Sequence, residues 1–472
     1  MARARGVLDR ICSLLPHSLA QYVTAIAASM SFLLVGTISS WSSATLLRII
    51  RDEFPVPLSV YQASWMVMLV GIGGLVSAVP AGIFVNLVGR KTVLMFTAVP
   101  VIVSWLLIMY TRSLSMLFVA RVLSGFGVSI VFVACPMYIG EIAEAKIRGS
   151  VGCLMHLFVS IGRMLGYAVG NYISFTTLAL VASILTVIFL IMMAFVSDSP
   201  YFLLTKGERS KAEVALARLR SKTIQEVQVE LDGMQKIVAE QMSNGNSLRD
   251  LVTFRGALRA LVVMIGLIIL QEFCGIVIAL RQTREVFVHI PGSNLTSSES
   301  VVVVECIGVL VNIATICLVD RLGRRPLLLA SAFGCATSLT ILGIFQFLHI
   351  RLQVDMSSYH WVAIGCLVAF VIFYNLGIGT LNMVIMGEIF PINIKGFAMS
   401  VGALLLWSCY LTMSNLYHFI LIKLGIYTAF WLISAVSISG IVFILFLVPE
   451  GKGKPLGRIV TGTVNDIETR VP

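Results

Sequence analysis

Charged residues are scarce in this chain. Of its 472 residues only 12% are charged and 58% are hydrophobic, whereas a soluble domain carries roughly 25% charged residues. This deficit excludes a surface that is covered by water on all sides. Long apolar runs recur along the whole sequence, and each is long enough to cross a hydrocarbon layer of roughly 30 Å. Since backbone polar groups in lipid must be satisfied within the segment, such runs predict helices rather than barrel strands.

The sequence also lacks the patterns of catalytic and cofactor-binding proteins. Its nine cysteines show neither a metal-ligand spacing nor a disulfide framework. No Walker motif is present, so nothing supports ATP-driven transport, and we expect no enzyme activity, no metal and no cofactor. The net charge of +11 could suggest nucleic acid, but the lysines and arginines collect in alternate loops, as the positive-inside rule describes. The expected partners are the lipid bilayer and a small-molecule solute, with no nucleic acid and no obligate protein partner.

Twelve apolar runs predict twelve membrane spans, which are numbered in chain order. The basic N-terminus (Met1–Pro16) is not followed by a small-residue cleavage site, so we interpret the first run as a retained span and not a signal peptide. An even number of spans puts both termini on one side, and the lysine and arginine distribution places that side in the cytoplasm. The predicted spans are 21–43, 62–85, 92–110, 115–139, 151–175, 178–197, 257–280, 300–319, 327–348, 361–385, 397–421 and 425–448.

Two motifs recur at an offset of six spans. NLVGRK (86–91) follows span 2 and DRLGRR (320–325) follows span 8, while EIAEAKIRG (141–149) and EIFPINIKG (388–396) follow spans 4 and 10. This duplication implies an all-α protein of two pseudo-symmetric six-helix bundles, related by an axis along the membrane normal. The predicted divisions are a cytoplasmic N-terminus (1–20), a first bundle (21–197), a cytoplasmic linker with short amphipathic helices (198–256), a second bundle (257–448) and a cytoplasmic tail (449–472).

The repeated motifs place paired charges at one end of the bundles. Gly89 and Gly323 permit tight turns, and the arginines that follow them can reach the carbonyl ends of neighbouring helices. We expect an ion-pair network at the cytoplasmic mouth that holds the halves closed and breaks as the protein opens inward. The alternative is that these charges only anchor helix ends. The expected members are Arg90, Glu141, Arg148, Arg321, Arg324, Glu388 and Glu450.

Eight segments of the chain match the motifs of one known family. They are QASW (62–65), NLVGRK (86–91), ARVLSGFGV (120–128), YIGEIAEAKIRG (138–149), SDSPYFLL (197–204), DRLGRRP (320–326), MGEIFPINIKG (386–396) and VPEGKGKPL (448–456). Through these segments the chain resembles the sugar-porter branch of the major facilitator superfamily, in particular insect facilitated trehalose transporter-like and facilitative glucose transporter-type proteins. The resemblance implies the major facilitator fold, alternating access, and a location in the plasma membrane. It also implies that Arg121 in span 4, which matches a family arginine, belongs to the cytoplasmic network.

The family's substrate contacts lie on spans 5, 7, 10 and 11, and this chain departs from the pattern there. His156 takes the place of a glutamine in span 5, and Met383 takes the place of a tryptophan in span 10. Because sugars are bound through hydrogen bonds and aromatic stacking, such losses lower affinity steeply. Gln271 and Trp407 are the surviving contacts. The other departures in or next to these spans are Glu272, Val277, Arg281, Gln282, Thr380 and Leu406. Outside them, Asn86 takes the place of the motif aspartate after span 2.

Two charged residues add to this site. Arg163 lies in mid-span 5, about two turns from His156 and on the same helix face, and Glu272 lies in span 7. Ionisable residues inside a membrane are costly and are usually paired or functional. We predict that Arg163 and Glu272 face each other across the cavity, where they contact a polar or charged solute or lock the halves together. The alternatives are that each extends into water without a specific role, and that His156 is a packing residue.

These features favour a facilitative uniporter of a sugar such as trehalose or a hexose, because span 1 lacks the acid that proton-coupled family members carry. The alternatives are a carrier of another polar or charged solute, with or without proton coupling, and a non-transporting nutrient sensor. The predicted substrate contacts are His156, Arg163, Gln271, Glu272, Met383 and Trp407. Gly377 and Gly379 are predicted to bend span 10, and Asn294 begins a glycosylation sequon in the predicted outside loop.

Overall fold

The computed structural model describes residues 19–50, 58–170, 172–243, 255–275, 297–354 and 359–453, and these ranges are helical without strands. Twelve of the described stretches are long and apolar enough to cross a membrane, which confirms the predicted fold class. In chain order the helices of these spans are Leu19–Ile50, Val60–Val88, Arg90–Phe96 with Ala98–Met109, Leu114–Ile142, Arg148–Gly170, Phe175–Phe195, Arg255–Phe273, Ser297–Leu322, Arg324–Ile350, His360–Leu376 with Ile378–Ile389, Ile392–Lys423 and Ile426–Leu447.

The two six-helix bundles meet along two seams. Span 5 packs along span 8, and span 2 packs along span 11. A shift of six spans converts the first seam into the second, so the seams are equivalent under the pseudo-symmetry. Within the bundles, span 1 packs on span 5, span 2 on span 4, and span 9 on spans 10 and 12.

Spans 4 and 10 cross at two glycines. A Cβ atom added to Gly140 would lie 2.7 Å from the carbonyl oxygen of Gly387, and one added to Gly387 would lie 2.7 Å from the carbonyl oxygen of Pro136. Neither position has room for a side chain, because each faces a backbone that cannot move independently. Small residues of this kind allow membrane helices to approach closely, and here they bring the two halves into contact.

Tight turns at the same end of the bundles require glycine. Gly89 and Gly323 have φ values of +100° and +95°, a region that L side chains rarely adopt. Each also faces a carboxylate, since an added Cβ would lie 2.6 Å from Asp198 Oδ2 at Gly89 and 2.7 Å from Glu450 Oε2 at Gly323. We call this end of the molecule the basic end and the other end the far end.

The described part of the segment between the bundles, up to residue 243, contains three helices, Pro200–Thr205, Arg209–Arg220 and Gln228–Ser243. Their apolar side chains pack together in a small separate cluster that includes Leu216 and Leu231. Arg220 Nη1 donates to the Ile142 carbonyl at 3.0 Å, and Gln241 Oε1 accepts from the Ile392 amide at 2.8 Å. The linker therefore contacts the end of span 4 in the first half and the start of span 11 in the second.

Candidate functional site

Two buried ion pairs occupy equivalent positions at the basic end. Arg90 Nη2 lies 3.0 Å from Glu141 Oε1, and Arg324 Nη2 lies 3.0 Å from Glu388 Oε1. Each pair is within one half, because its members come from the turn after span 2 or 8 and from the end of span 4 or 10. These pairs thus fix the helix ends of each bundle and do not by themselves join the halves.

Asp320 makes two hydrogen bonds that cross between the halves at this end. Its two carboxylate oxygens accept from the backbone amides of Gly149 at 3.1 Å and Ser150 at 2.8 Å. These amides belong to the first turn of span 5, where helical N–H groups lack partners within the helix and the helix dipole favours a negative charge. Asp320 also lies 3.2 Å from Arg324, so the bond to span 5 is continuous with the ion pair of the second half.

Further charges approach each other across the same interface. Arg148 of the first half lies within electrostatic range of Glu388, and Lys395 of the second half lies within range of Glu141. Lys395 is fully buried, and its ammonium group has no hydrogen-bond partner among the described residues.

Glu450 caps the start of span 9, accepting from the amides of Arg324 at 3.1 Å and Arg325 at 3.0 Å. Arg321 is exposed, and it contributes its carbonyl, which accepts from Lys452 at 2.7 Å.

The first half departs from the second at one position of this arrangement. Asn86 is the counterpart of Asp320 in the repeated motif, and it approaches Gly396, the counterpart of Gly149. A Cβ on Gly396 would lie 2.5 to 2.7 Å from the carboxamide of Asn86. Span 11 starts at Ile392, one turn before this contact, so the Gly396 amide is already inside the helix. The cross-half contact is therefore charged and hydrogen-bonded on one seam and neutral on the other.

Arg121 does not belong to the network at the basic end, contrary to the expectation from the family resemblance. It precedes Glu141 by 20 positions on one helix, which is about 30 Å at 1.5 Å per residue, and so it lies toward the far end. There it is buried, donates to the Met66 carbonyl at 3.3 Å and to the Ser42 hydroxyl, and stacks over the Trp41 ring at 5.1 Å. It ties spans 1, 2 and 4 together within the first half.

Hydrogen bonds between spans 5, 8 and 10 form a central polar network. His156 Nε2 lies 3.0 Å from Asn375 Oδ1, and Asn312 Nδ2 donates to Ser160 Oγ at 3.0 Å. The Thr380 hydroxyl lies 2.9 Å from Asn312 Oδ1. His156 and Ser160 come from the first half and the others from the second, so polar bonds join the halves inside the membrane-spanning region as well.

Arg163 pairs with Glu305 of span 8, and the predicted pairing with Glu272 is wrong. Arg163 Nε lies 2.9 Å from Glu305 Oε1, and Arg163 Nη2 donates to Ser160 Oγ at 3.3 Å. The physical reason is the helix arrangement, since span 5 packs along span 8 whereas span 7 packs on spans 10, 11 and 12. Glu305 was within reach of sequence reasoning, because it is an acid inside an apolar run.

Tyr374 is a shared neighbour of the two charged groups that were expected to meet. Its ring centroid is 6.4 Å from that of His156, and the residue is within electrostatic range of both Glu272 and Arg163. Glu272 is partly exposed and has no hydrogen bond or ion pair with any described residue. The two charges thus approach one buried tyrosine from different spans without contacting each other.

The other predicted substrate contacts differ in their exposure. Gln271 is partly exposed and accepts a hydrogen bond from Asn382. Met383 and Trp407 are each only 4% exposed. The Trp407 ring fills the space in which a side chain at Gly74 would lie, so in this conformation it packs between spans 11 and 2 and presents little surface to a solute.

Span 10 is broken at Gly377. One helix ends at Leu376 and the next starts at Ile378, whose amide donates to Ser331 Oγ at 3.0 Å. A Cβ on Gly377 would lie 2.7 Å from the Leu327 carbonyl oxygen, so span 9 packs directly on the break. Gly379 follows in the second helix and faces the Tyr374 ring.

Sequence reasoning missed several residues of the site, including Glu305, Asn312, Asn375 and the cross-half role of Asp320. Polar residues inside apolar runs were the available signal for the first three. Four positions that the sequence singled out, Val277, Arg281, Gln282 and the sequon residue Asn294, lie outside the described residues.

Comparisons with known proteins agree on one family. A family model described as "Sugar (and other) transporter" matches residues 17–461. The facilitated trehalose transporter Tret1 of Polypedilum vanderplanki is 31% identical over 442 residues, which are 93% of this chain and 87% of that protein. Tret1 of Drosophila willistoni is 30% identical over 442 residues. There the aligned residues cover 93% of this chain but 50% of the relative, so this chain spans about half the length of that protein.

Solved structures show the same fold. The proton:xylose symporter XylE bound to 6-bromo-6-deoxy-D-glucose superposes with a TM-score of 0.83 at 21% identity, covering 95% of this chain and 99% of that chain. XylE from E. coli in an inward open conformation superposes with a TM-score of 0.67 at 20% identity, covering 93% and 98%.

Proposed function

This chain belongs to the sugar transporter family, a family of carriers and not of enzymes, and on that premise we propose that it moves a sugar or related polyol across a membrane by alternating access. One observation carries the proposal. Cross-half contacts close the basic end, while partly exposed polar residues gather between the same two halves in the membrane-spanning region. Such an arrangement is a pathway that is shut at one end.

In the proposed cycle, the contacts between the halves break at the basic end and the contacts within each half persist. Asp320 leaves the start of span 5, and the crossing of Gly140 on Gly387 separates. The Arg90 and Arg324 ion pairs remain intact because both of their members move together. Gly377 and Gly379 give span 10 the bend that this movement needs.

We propose trehalose or a hexose as the solute and facilitated diffusion as the mode of transport. The relatives carry the name facilitated trehalose transporter, and the described part of span 1 contains no aspartate or glutamate. The absence of an acid in the described part of span 1 favours uniport over coupling to protons.

A charged solute is the second candidate, and Glu272 is the observation that favours it. A carboxylate inside a membrane protein without a partner among the described residues is costly, and a cationic group on the solute would satisfy it. Uniport of such a solute would respond to the membrane potential, whereas uniport of a neutral sugar would not.

We further propose that the basic end faces the cytoplasm and that the protein resides in the plasma membrane. The excess of lysine and arginine at that end supports the orientation. Glycosylation at Asn294 would be the sharpest confirmation, because that sequon lies in the predicted loop of the opposite side.

The test is uptake of labelled trehalose and glucose into proteoliposomes that contain the purified protein, with and without an imposed membrane potential. We expect saturable uptake that the potential does not change. Uptake of these neutral sugars that follows the potential would indicate coupling to a cation such as the proton and would refute uniport, and binding without flux would favour a sensor. A folded protein that neither moves nor binds a neutral sugar would refute the proposal.

A matched pair of glycine variants tests alternating access in the same assay. Gly140→Ala adds a methyl group 2.7 Å from a backbone carbonyl of the other half, whereas Gly233→Ala adds one with no atom within 4 Å. We expect uptake to fall more than tenfold in the first variant and to stay unchanged in the second. Equal uptake in the two variants would show that the basic end need not close.

A further inference from the structure

Part of the Arg163 guanidinium group is exposed between the two halves. Nε is bonded to Glu305 and Nη2 to Ser160, at 2.9 and 3.3 Å, while Nη1 is not engaged by any described residue. The Arg163 side chain keeps 15% of its surface exposed, whereas Glu305 keeps 3%. Glu305 therefore holds the guanidinium on its buried side, and Nη1, which has no partner among the described residues, belongs to the exposed side.

The central polar network holds this arrangement in place. Ser160, which accepts from Arg163, also accepts from Asn312 at 3.0 Å. Asn312 Nδ2 lies 3.4 Å from Asn375 Oδ1, and Asn375 contacts His156. The guanidinium is thus oriented by a chain of bonds across spans 5, 8 and 10, as a preorganised binding group requires.

The charge of Glu305 decides what this group can bind. An arginine by itself attracts carboxylates, which match its fork of N–H donors. Paired with a buried carboxylate at 2.9 Å, the same guanidinium belongs to a pair with no net charge, so its attraction for an anion is much reduced while Nη1 remains a hydrogen-bond donor. A hydroxyl oxygen can accept from Nη1 under those conditions, while a carboxylate on the solute meets the repulsion of Glu305 as well as the attraction of Arg163.

We propose that Glu305 is a specificity-determining residue, which makes Arg163 a donor for the hydroxyl groups of a neutral polyol and excludes sugar acids. This rests on the proposed function, since it deepens the substrate class of the same site. In this role Arg163 replaces one of the carboxamide donors that the chain lacks in spans 5 and 7.

The experiment measures binding of D-glucose and D-glucuronate to the purified full chain by the shift in its thermal unfolding midpoint, because a ligand that binds the folded state stabilises it. For the wild type we expect glucose to bind and glucuronate to bind at least tenfold more weakly. Glu305→Gln leaves Arg163 unpaired, and we expect the ratio of the two affinities to shift toward glucuronate by at least tenfold.

Two further variants separate this role from a structural one. Glu299→Gln removes an acid from the same helix at the far end, where Glu299 accepts from the Tyr172 hydroxyl at 3.3 Å, and should leave the ratio unchanged. Arg163→Gln with Glu305→Gln should weaken glucose binding without any gain for glucuronate. If Glu305→Gln does not fold, the exchange variant Arg163→Glu with Glu305→Arg is used instead. That variant keeps an ion pair with no net charge, and it should therefore still exclude glucuronate.

The outcomes distinguish the inference from the proposed function. An unchanged ratio in folded Glu305→Gln, glucuronate binding by the exchange variant, or no binding of either probe by any variant overturns the role of Glu305. Glucose uptake by the wild type together with an unchanged ratio leaves the function standing and refutes the inference. Binding with the expected ratios but without uptake supports the role of Glu305 and refutes the proposal that the protein is a carrier.

Discussion

Replacing Asp320 with asparagine tests whether the cross-half bonds hold the basic end closed. Asp320→Asn gives the second half the type of side chain that Asn86 supplies in the first, with little change in shape. The carboxylate accepts two backbone N–H groups from span 5, whereas a carboxamide has one accepting oxygen. Its NH2 group would face the remaining N–H, which is itself a donor.

The magnitude follows from the bonds that are lost. A hydrogen bond to a charged group contributes about 1.5–3 kcal/mol, and the neutral side chain also forgoes the helix dipole of span 5 and the contact with Arg324. Because these bonds to span 5 exist only when the basic end is closed, the substitution destabilises that state relative to the open one. Taking about 2 kcal/mol, the closed-to-open equilibrium shifts about 30-fold.

Cys153 provides a native reporter of this equilibrium. The thiol is on span 5, one turn beyond the bonded amides; it is fully buried and lies within electrostatic range of Asp320 and Glu388. Reaction with a membrane-permeant thiol reagent, followed by mass spectrometry of the peptide that contains Cys153, reports how often the basic end opens. We expect the rate in Asp320→Asn to rise about 30-fold over the wild type, by the estimate above.

Asp232→Asn is the matched control, because Asp232 is an exposed acid of the linker, bonded to Arg209 at 2.6 Å, and lies away from the seam. Its Cys153 rate should equal that of the wild type. The reciprocal variant Asn86→Asp should not slow the reaction, because the amide of Gly396 lies inside the helix of span 11 and cannot donate to a carboxylate. An unchanged rate in Asp320→Asn, with unfolding behaviour like the wild type, would refute the view that Asp320 holds the halves together.

Three further predictions concern packing and the central network. Gly74→Ala forces a methyl group into the Trp407 ring and should cost about 1–3 kcal/mol of stability, measured by thermal denaturation; Trp407→Leu on the same background should restore the midpoint if the overlap is the cause. Arg121→Lys keeps the charge but loses the planar group that bonds two partners and stacks on Trp41. It should cost about 1–2 kcal/mol, and an unchanged midpoint would contradict the assigned contacts. His156→Gln restores the residue usual in the family and adds about one hydrogen bond to a sugar, which should lower KM for uptake about 2- to 10-fold; a raised KM would count against that contact.

Much of the site could be located from the sequence, and the failures have identifiable causes. The pairs at Arg90 and Arg324 follow from motifs in which the turn and the acid recur after equivalent spans in each half. Arg121 was misplaced although the sequence contained the answer, because a separation of 20 helical positions rules out a shared end. The resemblance matched only the residue type of Arg121, whereas the rise per residue of the helix gives its position along span 4.

Arg163 shows a different kind of limit. Two acids in apolar runs, Glu272 and Glu305, were available as its partner, and nothing local distinguishes them. The choice depends on which span packs beside span 5, and the partner that the structure selects lies 142 positions away along the chain. Trp407 shows the same limit. An aromatic residue that matches a binding motif can either face the solute or fill a seam between helices, and its neighbours in the sequence are the same in both cases.

The sequence by itself determined the twelve spans, the duplication of six spans and the end at which the charges gather. These depend on the length of apolar runs, on glycine at turns and on residues close together in the chain, which are local properties. Only the tertiary structure decided that Asp320 joins the halves, that Glu305 neutralises Arg163 and that Trp407 is packed away. Each of those contacts is made between helices from different halves, so it depends on how the two bundles lie against each other, and hydrophobic periodicity does not encode that arrangement.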